Sequence, residues 1–116
     1  MQQVVDLQED SAFQDLNVAL LSISPDSLDS WRSEADQLGI TLPVLSDANN
    51  RVANAYRVMQ WAMPTGEPGH TFVLVDKDGK VRWLQDYGAP EHGGLMYVVP
   101  GELVKEVRAQ LGLSAD

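Results

Sequence analysis

The chain has 116 residues, 44% of them hydrophobic, with 17 acidic against 8 basic side chains and a formal charge of −9. That length suits one domain with a real core and is too short for two, and a field of that sign repels nucleic-acid phosphates and anionic lipid head groups. There is no cysteine, which excludes a disulfide framework, thiolate zinc sites and a cysteine nucleophile.

No apolar run approaches the roughly 20 residues that a bilayer-spanning helix needs. The first ten residues are acidic and lack the basic and apolar stretches of a signal peptide. The expectation is therefore a cytoplasmic protein with neither membrane nor nucleic acid among its partners.

In chain order, Gln2 to Leu16 has helix-forming composition, with Val5, Ala12, Phe13 and Leu16 near helical spacing. Val18 to Ile23 (VALLSI) is a continuous apolar run, the pattern of a strand buried on both faces of a parallel sheet. Ser24 then caps a helix that has Pro25 in its first turn, a stripe of Leu28, Trp31, Ala35 and Leu38, and Gly39 as its stop. Ile40 to Leu45 is extended, and Pro43 places it at an edge or in a loop. Asp47 caps a short helix whose buried stripe would be Val52, Ala55 and Tyr56.

Met59 to Gly69 reads as a loop, with Pro64, Gly66, Pro68 and Gly69. Thr71 to Val75 and Lys80 to Leu84 flank Asp76-Lys77-Asp78-Gly79, a hairpin signal. A second loop leads to a helix over Glu102 to Leu111, with Leu103, Val107 and Leu111 on one face and a stop at Gly112. Strand, helix, extended segment, helix, hairpin and helix make an α/β order over one domain, residues 1–116.

Chemistry-bearing residues are sparse. Ser22 and Ser24 lie in no nucleophile-elbow pattern, and the glycines form no nucleotide-binding spacing. His70 and His92, with Asp86 and Glu91, could compose a mixed metal site or be plain loop residues. No pair among them has helical or short-loop ligand spacing, so neither a metal nor another cofactor is expected. Trp31 and Tyr56 fall on apolar stripes and read as core. Trp61 and Met63 either line a groove or pack beneath the loop.

Three ordered stretches, VALLSISPDSLDSW, LPVLSDANNRVANAYRV and HTFVLVDKDGKVRW, together resemble the alkyl hydroperoxide reductase/thiol-specific antioxidant family. The middle stretch is the most specific. Its Leu45-Ser46-Asp47 turn leads into a helix ending on Ala53, Tyr56 and Val58, as in that family. The resemblance spans Val18 to Trp83 and implies a thioredoxin-like fold, incomplete at the N-terminus, with a central sheet flanked by helices. It further implies a peroxiredoxin-like thiol oxidoreductase or antioxidant domain of which this chain is the C-terminal portion. The family's reactive cysteine would lie upstream of Met1, which leaves the chain without a catalytic residue of its own.

The resemblance places Pro68, Gly69, His70 and Thr71 in the loop facing that thiol, with His70 as its imidazole partner. Peroxiredoxins carry an arginine three residues before the phenylalanine of the hairpin strand, where this chain has Gly69. Thioredoxin-like relatives carry a cis-proline there, and Pro68 is one residue early. A thiol–disulfide redox partner would belong to a longer form.

The family's sheet has a strand between those matching Val18 to Ile23 and Thr71 to Val75. Without it, those two strands either pair directly or exchange elements with a second copy, and a homodimer is expected. The alternative function is a non-catalytic thioredoxin-like module for binding or oligomerisation.

Overall fold

The structure is a computed structural model that describes residues 2–63, 69–95 and 97–112. It opens on α1 (Gln2–Glu9). The helical spacing read over Gln2 to Leu16 breaks at Asp10, whose carboxylate accepts the Phe13 N–H at 2.8 Å and starts a second short helix, α2 (Ser11–Gln14). An aspartate that can hold a nearby backbone donor favours a cap over a helix interior. The break also changes which residues turn inward. Leu7, Phe13 and Leu16 are buried, while Val5 is half-buried and Ala12 exposed.

The apolar run that follows becomes a strand only at its end, as β1 (Ser22–Ser24). It pairs in parallel with β2 (Val44–Ser46), placing Ile23 opposite Leu45. A strand covered on both faces was expected, but Leu21 and Ile23 remain 53% and 47% exposed. α3 (Leu28–Leu38) packs against β2, whereas Ile23 and its opposite number Leu45 stay 47% and 43% exposed.

Ser27, not Ser24, caps α3 by accepting the Ser30 N–H, because Ser24 is engaged with Asp26 in the preceding turn. Along the helix Trp31 and Ala35 are buried, while Leu28 and Leu38 stay at its exposed margins. Gly39 ends it at φ 73°, and the Ile40 N–H reaches back to the Ala35 carbonyl at 2.9 Å. This is the Schellman arrangement that a left-handed residue permits.

After β2 the chain doubles back through a 3₁₀ turn (Ala48–Asn50) in which Asn49 and Asn50 both take positive φ, a conformation asparagine tolerates. The reversal brings Asp47, only 5% exposed, over the start of α4 (Arg51–Ala55), where its oxygens accept the Val52 and Ala53 N–H groups at 2.8 and 2.9 Å. The sequence places the cap correctly but the buried stripe wrongly. Ala53 and Val58 are buried, whereas Val52, Ala55 and Tyr56 are exposed. A helix this short turns too few residues inward for periodicity to choose its face.

A 3₁₀ turn (Val58–Trp61) precedes the antiparallel pair β3 (Thr71–Val75) and β4 (Val81–Asp86). Asp76 closes the hairpin by accepting the Asp78 and Lys80 N–H groups, with Gly79 at φ 81°. β4 runs two residues beyond the expected Leu84, to Asp86. Another 3₁₀ turn (Pro90–His92) leads to α5 (Pro100–Gln110). The main core joins α1, α2, α5 and the hairpin through Leu7, Phe13, Leu16, Leu74, Leu103 and Val107.

The strands form two separate two-stranded sheets, β1–β2 and β3–β4. Direct pairing of Val18 to Ile23 with Thr71 to Val75 therefore does not occur among the described residues. A cleft of about 490 Å³ lies between residues 16–19, ahead of β1, and the end of β3, lined by Leu16, Val18, Ala19, Leu74, Val75 and Leu111 together with the polar Asn17, Asp76 and Lys77. Two glutamines of α1 connect the parts. Gln3 both donates to and accepts from the main chain of Val98, and Gln8 bonds the main chain of Gly39, Thr41 and Leu42. α1 also holds Asp6 against Tyr97.

Two predictions follow from these contacts. Asp47→Ala leaves two amide donors of α4 without their acceptor and should destabilise the chain by about 1–3 kcal/mol in urea unfolding. The second concerns Asp6, whose carboxyl is held below its ordinary value of 3.8 chiefly by the Tyr97 hydroxyl and secondarily by Gln2. A depressed carboxyl stabilises the fold above its unfolded-state pKa and loses that contribution as pH falls through the folded-state value. Tyr97→Phe should thus lower the urea midpoint slightly at neutral pH, and the difference should close once both states bind the proton.

Candidate functional site

The site is built around the last residue of β4. In the ladder Asp86 lies opposite Thr71, so the register delivers its carboxyl beside the Thr71 hydroxyl, which donates to Oδ1 at 3.2 Å. The chain then turns, and the Ala89 N–H donates to Oδ2 at 2.9 Å. His92 Nδ1 stands 3.3 Å from the same oxygen. Asp86 is 1% exposed. A buried carboxyl is tolerable because partners on several sides replace its water.

This hub joins three segments. Thr71 belongs to the start of β3, and Ala89 and His92 belong to the turn after β4. The His92 ring lies on Trp61, with centroids 5.5 Å apart and planes tilted by 57°. The next residue after the hub, Tyr87, points elsewhere: its ring meets Phe72 edge-on. Burial raises the Tyr87 phenol pKa, with the negative charges of Glu106 and Glu102 adding to the effect.

Between these segments lies a cavity of about 310 Å³, lined by Trp61, Met63, Gly69, His70, Ala89 and Pro90 among others. The two sets of residues singled out in the sequence, the loop before the hairpin and the Trp61–Met63 pair, thus meet at one place. Gly69 and His70 line the cavity. Thr71 stands behind it on Asp86, and Pro68 lies outside the described residues. Trp61 and Met63 form part of the wall and are half-buried.

Two glycines make this packing possible. A Cβ on Gly69 would meet the Trp61 carbonyl oxygen at 2.7 Å and Asp86 Oδ1 at 3.0 Å, and one on Gly88 would meet the His70 nitrogen at 3.3 Å. Position 69 is thus closed to any side chain in this arrangement. His92 and Asp86 come together, but no group of three or more His, Asp or Glu able to hold a metal occurs among the described residues. Sequence reading missed Asp86 as an organising residue. Its one signal was the extension of the alternating β4 pattern to a position opposite Thr71.

Gly69→Ala forces the Trp61 carbonyl or Asp86 to move. It should cost about 1–3 kcal/mol of stability and alter the emission contributed by Trp61, identified by comparison with Trp61→Phe. An unchanged urea midpoint and spectrum would contradict the packing described.

Comparison with known proteins agrees with this architecture. The crystal structure of AhpC from Enterococcus faecalis superposes with a TM-score of 0.74 at 25% identity, over 96% of this chain and 65% of that one. AhpC from Mycobacterium bovis superposes with a TM-score of 0.67 at 19% identity, over 100% of this chain and 64% of that one. The fold is thioredoxin-like, and the chain spans about two thirds of the length of the solved structures it matches. No curated protein matches it at a significant level. The AhpC/TSA family model matches residues 2–84, most of the chain and all of its strands except the end of β4, and the chain belongs to that family.

Proposed function

We propose that residues 1–116 are the C-terminal portion of a peroxiredoxin-like thiol oxidoreductase domain, catalytically incomplete for want of a cysteine. The observation that carries this reading is the divided sheet. β1 pairs only with β2 and β3 only with β4, and a cleft beside the end of β3, lined by Val18, Ala19, Leu74 and Val75 with Asn17, Asp76 and Lys77 at its polar side, supports room for another strand. A strand entering there and leading into the start of the helix that continues as α1 would bring a thiol toward the loop at Gly69, His70 and Thr71, with Trp61 and Met63 beside it. A thiol reacts as its thiolate, which nearby donors and cations favour, and nothing in this chain replaces that nucleophile. Among the described residues no helix is long and apolar enough to cross a membrane. A cytoplasmic location and a thiol–disulfide partner belong to the same proposal.

The absence of cysteine also favours a second reading, a binding or oligomerising module. Unpaired strand edges pair readily with an identical chain, and twofold closure is the commonest outcome. Leu21, Ile23 and Val75 expose apolar surface at these edges, which supports a homodimer in either reading.

The purified chain should consume no hydrogen peroxide above buffer when coupled to a thiol donor. A chain extended by a strand and a cysteine-bearing helix start should gain turnover. A folded extension without turnover would leave the module reading in place. Light scattering at micromolar concentration should give about twice the 12.8 kDa chain mass, and a monodisperse monomer would remove the homodimer.

A further inference from the structure

With cysteine absent, the side chains that a peroxide most readily oxidises by two electrons are the methionine thioethers, of which the chain has four. Met1 and Met96 lie outside the described residues, which leaves Met59 and Met63. Both are half-buried, but their surroundings differ. Met59 belongs to the 3₁₀ turn Val58–Trp61 and lines neither of the two clefts. Met63 lines the cavity of about 310 Å³, together with Trp61, Gly69 and His70.

The backbone leading to Met63 is held in place. The Ala62 N–H donates to the Met59 carbonyl at 3.0 Å. The Trp61 carbonyl oxygen sits 2.7 Å from where a Gly69 Cβ would stand. Among the described lining residues the ionisable ones are Glu91 and His70, and no lysine or arginine is there to attract an anion. A neutral hydroperoxide meets no such charge penalty, and the volume admits hydrogen peroxide or a small alkyl hydroperoxide. Thioethers share one intrinsic reactivity, so access decides which is oxidised first.

We propose that Met63 is an oxygen-accepting site for a hydroperoxide that enters this cavity. The sulfur lone pair attacks one peroxide oxygen, and the S–O bond forms as the O–O bond breaks. The departing hydroxide or alkoxide takes the proton of the transferred hydroxyl, leaving methionine sulfoxide and water or an alcohol. The sulfur is oxidised by two electrons and the peroxide is reduced by two. Each chain accepts one oxygen here and oxidises no thiol donor, so the reaction is stoichiometric and is not turnover. A flexible apolar side chain in the wall becomes a polar one. That a peroxide is what the cavity meets rests on the function proposed above, but the reactivity of the thioether does not.

The test exposes the folded chain to hydrogen peroxide and follows the gain of one oxygen by mass spectrometry, with fragment ions locating it on Met59 or Met63. Met63 should be oxidised about fivefold faster than Met59. In urea, where both thioethers are solvated, the ratio should fall to about one. Equal rates in the folded chain, or a faster Met59, overturn the proposal. A ratio that persists in urea overturns it as well, because the preference then belongs to the local sequence and not to the cavity.

Thiol peroxidase activity plays no part in this readout. An extended chain without turnover would leave the Met63 result standing, and an unreactive Met63 would leave the family-based function standing.

Discussion

Backbone groups in a sheet must find partners, and this constraint governs the whole molecule. β1 pairs only with β2 and β3 only with β4, in two separate sheets. A buried N–H or C=O without a partner costs about 1–3 kcal/mol, so the two half-sheets cannot be drawn into a dry interior as they stand. They remain apart and are held by other means. α1 carries that task through side-chain amides on main-chain groups, with Gln8 on the segment after α3 and Gln3 on the segment before α5. An amide both donates and accepts, so each of these glutamines can satisfy a backbone N–H and a backbone C=O together.

The same division explains the distribution of apolar surface. The hydrophobic residues of α1, α2, α5 and the hairpin share a continuous core. The β1–β2 pair has α3 against it, and Ile23 and Leu45 stay open. The protein's neighbours in fold are longer chains, of which this one spans 65% and 64%.

The cavity beside the hairpin depends on a different principle. One buried carboxyl gathers Thr71 of β3 and Ala89 and His92 of the turn after β4, and so ties that turn to the start of the hairpin beside the cavity. Glycine at position 69 is part of the same device, since a Cβ there would press on both the Trp61 carbonyl and Asp86. The space beside the backbone is already occupied.

Local chemistry made much of this legible in the sequence. Gly39 and Gly79 mark left-handed positions, Asp47 and Asp76 are short acids able to reach nearby amides, and the family resemblance rests on runs of adjacent residues. Each of these depends on neighbours a few positions away. The errors arose where neighbours in space decide. Ser24 and Ser27 are equally good caps, and the turn at Asp26 chose between them. Val52 and Tyr56 look like core until the face they point to proves uncovered. Asp86 and Thr71 carry no spacing that announces them, because their meeting depends on the register of β3 against β4. The sequence by itself determined the fold class, the turns and the lack of a thiol, all properties of composition and short segments. Only the tertiary structure decided that the sheet is divided and that a buried carboxyl gathers Thr71 beside the turn after β4. Both depend on which strands find partners, a long-range choice that no local pattern encodes.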